Sequence, residues 1–329
     1  MDFQDLAELI ERQHDLTSLG REDIAALEAN ARQLDERGWV ELLEQLATSP
    51  APPINPQSQR VFEGVFLQFH QGVFTQALGM SSRLIQASAA LYGGLGAEFR
   101  PRRCLLAALS SSPAVDSLKT LANLLTTDPP PEALDASVAM APLFQLPELD
   151  ASALFPALLD ALSHLQVAPA VLDLANYLTR SGRVAGHPAT DETERLTAVL
   201  TGICKRLSDL EQPEGHAEVP IAKSQRQVSD SVAIACSLCD ALGLIGGAEV
   251  KPALHDALRL RHRRIRVEAA AALARLGDDE GVAALAELVA HPVARLRAVA
   301  YAEELGLIDH LDEQWQTPAA MAEAELAAH

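Results

Sequence analysis

The stretch "RLRHRRIR", residues 259–266, places Arg259, Arg261, Arg263, Arg264 and Arg266 together with no acid between Asp256 and Glu268. Arg295 and Arg297 follow thirty-one residues after Arg264 and Arg266. A guanidinium presents a planar fork that pairs bidentately with carboxylate or phosphate. Seven arginines on one ridge therefore point to capture of another protein with an acidic or phosphorylated surface. The plainer reading, which we prefer for the whole cluster, is that the stems of Arg266 and Arg297 pack between layers of a repeat and their heads pair with neighbouring acids. The remaining arginines then belong to a solvated turn.

Other residue types that could do chemistry do not assemble into a set. Cys236 and Cys239 form a CxxC, but a zinc site needs a second pair or histidines at ligand spacing. Cys204 and His255 are nearest in sequence and complete no pattern. Their repeat-equivalent positions are Val267 and Ala270, small apolar residues, so ordinary packing is expected. Ten histidines include no HExxH. "YGGLGAEF" at 92–99 lacks the lysine of a phosphate loop and the flanking strand of a dinucleotide site. No GxSxG occurs, and paired acids are too common to single anything out. We expect no catalytic residues, no cofactor and no metal.

The elements that must position these groups are helices. Among 329 residues 48% are apolar but only 4% aromatic, and leucine and alanine carry the apolar load. Both lose little freedom in a helix. The net charge of −19 repels nucleic acid and anionic membranes at long range. Four cysteines in so long a chain make no disulfide framework. "MDFQDLAELIE" at the start is acidic and amphipathic, without the basic and apolar regions of a secretory signal, so a cytoplasmic setting is expected. Residues 64–97 carry one formal charge, Arg83, but also Gln68, His70, Gln71, Gln76 and Gln86. That reads as buried soluble helix rather than a membrane span.

Along the chain, residues 1–48 read as amphipathic helices near 3–14, 21–33 and 36–47, the first carrying Leu6, Leu9 and Ile10. Residues 49–55 hold a proline-rich linker, which cannot be helix. Asn55-Pro56 is a helix start. Residues 56–97 form a hydrophobic helical segment whose Phe62, Val65, Phe66, Phe69 and Val73 make one stripe. We read it as core, with self-association through Phe62, Phe66 and Phe69 as the alternative. Residues 98–211 read as irregular helical repeats. Leu121 and Leu125 correspond to Leu158 and Leu162, and Asp191 and Glu194 have capping-box spacing. Residues 212–228 are polar and aperiodic and read as an insert loop.

From 229 to 329 the pattern sharpens. Ile234, Leu238, Ala241, Leu242 and Ile245 recur as Ile265, Ala269, Ala272, Leu273 and Leu276, thirty-one residues on. Gly246 recurs as Gly277, and Leu254, Ala257 and Leu258 recur as Leu285, Leu288 and Val289. A partial third copy starts at Leu296, with Glu304 in the place of Leu273. Each copy is a helix, a glycine turn and a second helix. Burying one Leu or Ile yields roughly 1.5–3 kcal/mol, against about 1–2 kcal/mol per residue of backbone ordering. One hairpin alone loses that contest, whereas a stack covers every face. The helix from Pro318 reads as a cap on the stack or as part of something longer.

"IRVEAAAALARLGDDEGVAALAELV" resembles a HEAT-like repeat, in particular the short type of phycobilisome lyase-like proteins. The resemblance is strong over 264–297, fair over 231–258, partial over 295–308 and absent before residue 97. It implies an all-α fold, an α-solenoid of stacked helical hairpins behind a small N-terminal helical region, and protein–protein binding. Some HEAT-repeat hydroxylases hold iron through His-Glu pairs, and this sequence has none. The expected role is a non-enzymatic scaffold presenting a curved repeat surface and the arginine ridge. The alternatives are a tetrapyrrole lyase-like enzyme or cofactor handler, and a nucleic-acid-binding HEAT-like protein, against which the charge speaks.

Overall fold

Short polar side chains or prolines open several helices of this chain. Asn55 Oδ1 accepts the N–H of Ser58 at 2.9 Å, with Pro56 in the first turn of helix α3 (Pro56–Phe74). Asp35 does the same for helix α2 (Glu36–Thr48), accepting from Gly38 at 2.8 Å. These caps satisfy donors that a helix start leaves unpaired. The computed structural model describes residues 19–211 and 221–328, and among them every regular element is helical. The helix expected over 3–14 lies outside the described residues.

The chain divides into two compact units, Met1–Val171 and Leu172–His329. The division falls within helix α10 (Ala168–Arg180) and not at the irregular segment 49–55, which joins α2 to α3 inside the first unit.

The first unit also contains helices α1 (Arg21–Ala31), α4 (Ser82–Gly94), α5 (Arg103–Ser110), α6 (Val115–Thr127), α7 (Ala133–Met140), α8 (Ala151–Leu154) and α9 (Ala157–Asp160). Helices α1, α3, α5 and α7 neighbour one another in that order, and α2, α4 and α6 do likewise, with α8 and α9 against α6. Two layers of helices built by successive hairpins are the architecture of a helical solenoid. Repeat architecture therefore begins well before the segment whose sequence shows it. Phe62, Phe66 and Phe69 are almost wholly buried. Phe62 meets Phe66 and Phe99 edge-on at 5.6 and 5.3 Å, and Phe69 meets Trp39 at 5.0 Å. Rings in the middle of a core cannot join two copies, so self-association through Phe62, Phe66 and Phe69 is corrected to core packing. Leu158 and Leu162 are buried as Leu121 and Leu125 are, but their segment breaks into the short α8 and α9 and a 3-10 turn. Pro156 supplies no backbone donor there.

The second unit holds helices α11 (Thr193–Glu211), α12 (Ile221–Ile245), α13 (Lys251–Leu258), α14 (Arg263–Arg275), α15 (Asp279–Leu288), α16 (Pro292–Leu305) and α17 (Pro318–Ala328). Asp191 lies in a 3-10 turn ahead of α11 rather than capping it. The insert loop expected over 212–228 is corrected in its second half, where α12 already runs from Ile221. No glycine or proline occurs between 221 and 242. A helix nucleated by the apolar residues after 231 therefore propagates backwards at little cost. Residues 212–220 lie outside the described residues.

Helices α12, α14 and α16 lie side by side, with α11 beside α13. Gly246, Gly277 and Gly306 end α12, α14 and α16 with φ of 90°, 68° and 68°, a left-handed turn that glycine takes without strain. Every residue from Val267 to Leu273 of α14 is buried, so the middle of this helix has no outward face. Its alanines follow from distance. A Cβ on Gly243 of α12 would lie 2.7 Å from Cα of Ala272, and one on Gly281 of α15 would lie 2.5 Å from the Ala274 nitrogen. Residues 64–97, expected to be buried soluble helix, are split between α3 and α4, each of which buries one side and exposes the other. Among the described residues, Val228–Ile245 is apolar and long enough for a membrane span by composition, and 61% of it is buried against its neighbours.

Leu273 has no exposed surface. Leu273→Ala is expected to destabilise the second unit by about 2–5 kcal/mol, read as a lower urea midpoint. A change of only a few tenths places the side chain on the wrong face.

Candidate functional site

The arginines of the ridge have different fates. Arg259 is exposed and pairs with Asp256 one helical turn earlier, at 3.1 Å. Arg261 is exposed, and its backbone N–H donates to both carboxylate oxygens of Glu211 at 2.9 and 3.0 Å. Arg263 and Arg264 are exposed and have no ion-pair partner among the described residues. Arg266 leans onto α15, 3.4 Å from Glu287. Arg297 has 60% of its side chain exposed and lies 2.9 Å from Glu268.

Arg295 requires a correction. It is wholly buried and cannot belong to a binding ridge. Its Nε donates to the Val289 carbonyl at 2.9 Å and its Nη2 to that of Ala290 at 3.2 Å, which closes the end of α15. Its Nη1 donates to the Ala320 carbonyl at 2.6 Å and to Glu323 at 2.8 Å, both on α17. The Trp315 ring lies 4.8 Å from the guanidinium carbon. A cation at carbonyls left unpaired by a helix end is favourable. Arg295 thus ties α17 onto the last repeat as a cap.

Sequence reasoning missed a second polar cluster that crosses α10, α12, α14 and α16. Arg180 donates from both terminal nitrogens to the Asp240 carboxylate, one bond measuring 2.8 Å, and lies 3.3 Å from Glu304. Arg275 bonds Glu304 and lies 3.9 Å from Asp240. Glu304 takes the repeat position of the buried Leu273, so the one acid that breaks the repeat is the one that binds two arginines. That break was visible in the sequence; its partners were not. Next to this cluster, Glu268 accepts from the Tyr301 hydroxyl, and Ser237 donates to Asp173 at 2.7 Å. Burial pushes the carboxyls of Asp173, Asp240 and Glu268 upward, while arginines facing each of them pull the other way. Burial would lower Arg180, but Asp240, Tyr301 and Glu304 raise it.

A buried relay extends from the same elements. The N–H of Ala189 donates to His187 Nδ1 at 3.1 Å, so the ring proton sits on Nε2 and donates to Asn176 Oδ1 at 2.9 Å. Asn176 in turn donates to the Ser237 carbonyl at 3.2 Å. Burial lowers the His187 imidazole to about 4.

The cysteines are packing residues. Cys204 and Cys239 are buried, Cys236 is half-buried, and all four thiols are free. Burial pushes Cys204 and Cys236 up to about 12 and Cys239 well above its usual value. Such thiols are poor nucleophiles. Among the described residues no group of three or more His, Cys, Asp or Glu side chains is placed to hold a metal ion.

Residues 223–306 match the family model for HEAT repeats. Together with the layered helices, this makes residues 223–306 of the second unit a stack of HEAT-like repeats in an all-α solenoid fold. The matched model is that of HEAT repeats in general and does not distinguish the phycobilisome lyase-like subtype. No curated protein and no solved structure matches the chain.

Protonating His187 breaks the bond from Ala189. The unfolded imidazole takes its proton near pH 6.5 and the folded one only near 4. Between these values the unfolded state binds more protons, so stability falls as pH is lowered from about 6.5 towards 4, by up to about 3 kcal/mol. In urea titrations across this range, His187→Gln is expected to lose that share of the slope. Equal slopes in both proteins contradict the buried, neutral ring.

Proposed function

We propose that the chain is a non-enzymatic protein-interaction scaffold whose HEAT-like repeats present the exposed arginines 259, 261, 263 and 264 to an acidic or phosphorylated surface of another protein. The observation that carries this reading is the pair Arg263 and Arg264. They are exposed and unpaired among the described residues in a chain of net charge −19, where acids to pair with are plentiful. HEAT repeats commonly serve protein–protein interaction, and the solenoid supplies a fixed frame for such a strip. Arg266 and Arg297 stand at its border, each shared with an acid of its own unit, and Arg295 has left it.

The non-enzymatic role is part of this reading and rests on the regular repeat. A tetrapyrrole lyase-like activity draws support only from the resemblance of residues 264–297. Nucleic-acid binding has the arginines in its favour and the overall charge against it. Four free thiols fit a reducing compartment such as the cytoplasm.

Replacing Arg261, Arg263 and Arg264 together with serine is expected to abolish a salt-sensitive pull-down of the native partner while leaving the melting curve unchanged. Undiminished capture by the triple variant removes the strip from the binding surface.

A further inference from the structure

The turn between α13 and α14 already holds a carboxylate. Glu211, the last residue of α11, accepts the backbone N–H of Arg261 on both of its oxygens, at 2.9 and 3.0 Å. The contact stands in the middle of the cationic strip, because Arg259 follows α13 while Arg263 and Arg264 open α14. Leu260, next to Arg261, is buried and anchors the turn.

The acid does not serve its own helix. Helix α11 runs for nineteen residues and has no basic residue in its last turn. The C-terminal end of a helix carries partial negative charge, so the dipole disfavours a carboxylate at the final position. What offsets this is the Arg261 N–H and the arginines around it. Asp256 and Glu287 meet neighbouring arginines through the guanidinium, at 3.1 Å from Arg259 and 3.4 Å from Arg266. Of these three acids, Glu211 is the one that takes a main-chain donor. The hold is slight, since one N–H at the surface serves both oxygens. An acid arriving from outside therefore finds this donor taken and a negative charge beside it.

We propose that Glu211 is an internal stand-in for the partner's acid: it occupies the Arg261 N–H in the free protein, and a glutamate or aspartate side chain from an acidic segment of a protein partner displaces it. The carboxylate seated at the turn names the class of ligand. The proposal rests on the scaffold reading and adds regulation to it, because binding must first undo an internal contact. A contact formed in about nine molecules of ten lowers the apparent affinity about tenfold.

The test is fluorescence anisotropy of the full chain with a labelled octaglutamate peptide at low ionic strength, joined to amide spectra of protein carrying isotope-labelled arginine. Glu211→Ala removes both charge and acceptor; it is expected to bind the peptide about tenfold more tightly than the wild type and to melt no earlier. Glu211→Gln keeps a weaker acceptor and is expected to fall between the two. Glu287→Gln removes an acid beside Arg266 without touching the turn N–H, and it is expected to stay within about twofold of the wild type. The Arg261 amide resonance is expected to move on Glu211→Ala and to return towards its wild-type position as peptide is added. Equal or weaker binding by Glu211→Ala overturns the proposal, as does an equal gain in Glu287→Gln. An Arg261 amide that the peptide leaves in place overturns it too, and so does the absence of peptide binding in both the wild type and Glu211→Ala. The scaffold reading is struck separately, by native-partner capture that survives the triple serine variant.

Discussion

The second unit depends on how closely its layers approach. Where α12 meets α14, and α14 meets α15, the backbones come so near that Gly243 and Gly281 have no room for a methyl group. The partner surface is a run of alanines from Ala269 to Ala272, all buried. Alanine contributes little apolar area per residue, and leucine contributes far more. The alanines are needed for another reason: small side chains let neighbouring helices sit within reach of each other's leucines. Leu238, Leu242, Leu254, Leu273, Leu285 and Leu288 are all buried between these helices. A larger residue at the alanine positions would push the layers apart and cost those contacts as well as its own strain.

Close approach also constrains charge. Asp240, Glu268 and Arg295 are buried in a stack with little water to solvate them, so each must find partners inside the protein. Removing one member of such a group leaves the others unpaired, which costs more than the pair contributes over an apolar replacement. The buried charges therefore act as constraints on arrangement more than as sources of stability. Arg180 fits only where α10, α12 and α16 bring Asp240 and Glu304 together, and Arg295 fits only where α17 supplies the Ala320 carbonyl and Glu323.

What could be read from the sequence follows the same division. The thirty-one-residue period gave the helices, the glycine turns and the buried leucines of the second unit, because each layer meets the same kind of neighbour. Arg264 and Arg295 occupy one repeat position, yet one is exposed and the other wholly buried. Leu242, Leu273 and Glu304 share another, and only the last is charged. Periodicity fixes a residue's place within its layer, and the identity of the next layer decides what it touches. Arg295 is followed by α17 and Trp315, which stand outside the period. The first unit hid its layers for a related reason. Its helices range from four residues in α8 to nineteen in α3, so no fixed interval exists to be seen. Its phenylalanine stripe announced a buried helix without saying that the cover came from its own unit.

The contrast between a strongly acidic chain and a short cationic strip bears on how a partner would be selected. At physiological salt the screening length is about 8 Å, so the field of a few arginines fades within a side chain or two of the surface. Beyond that distance an acidic partner meets mainly the net charge of −19, which repels it. Attraction begins only when its acids are already aligned with the strip. On the proposed reading, such a surface would sacrifice association rate and favour geometry, because a misplaced acidic segment would encounter carboxylates such as Asp256 and Glu287 beside the arginines. A rigid helical stack suits that arrangement. Its arginines stand on helix ends and turns fixed by buried layers, so the spacing of their backbone positions is set by the fold.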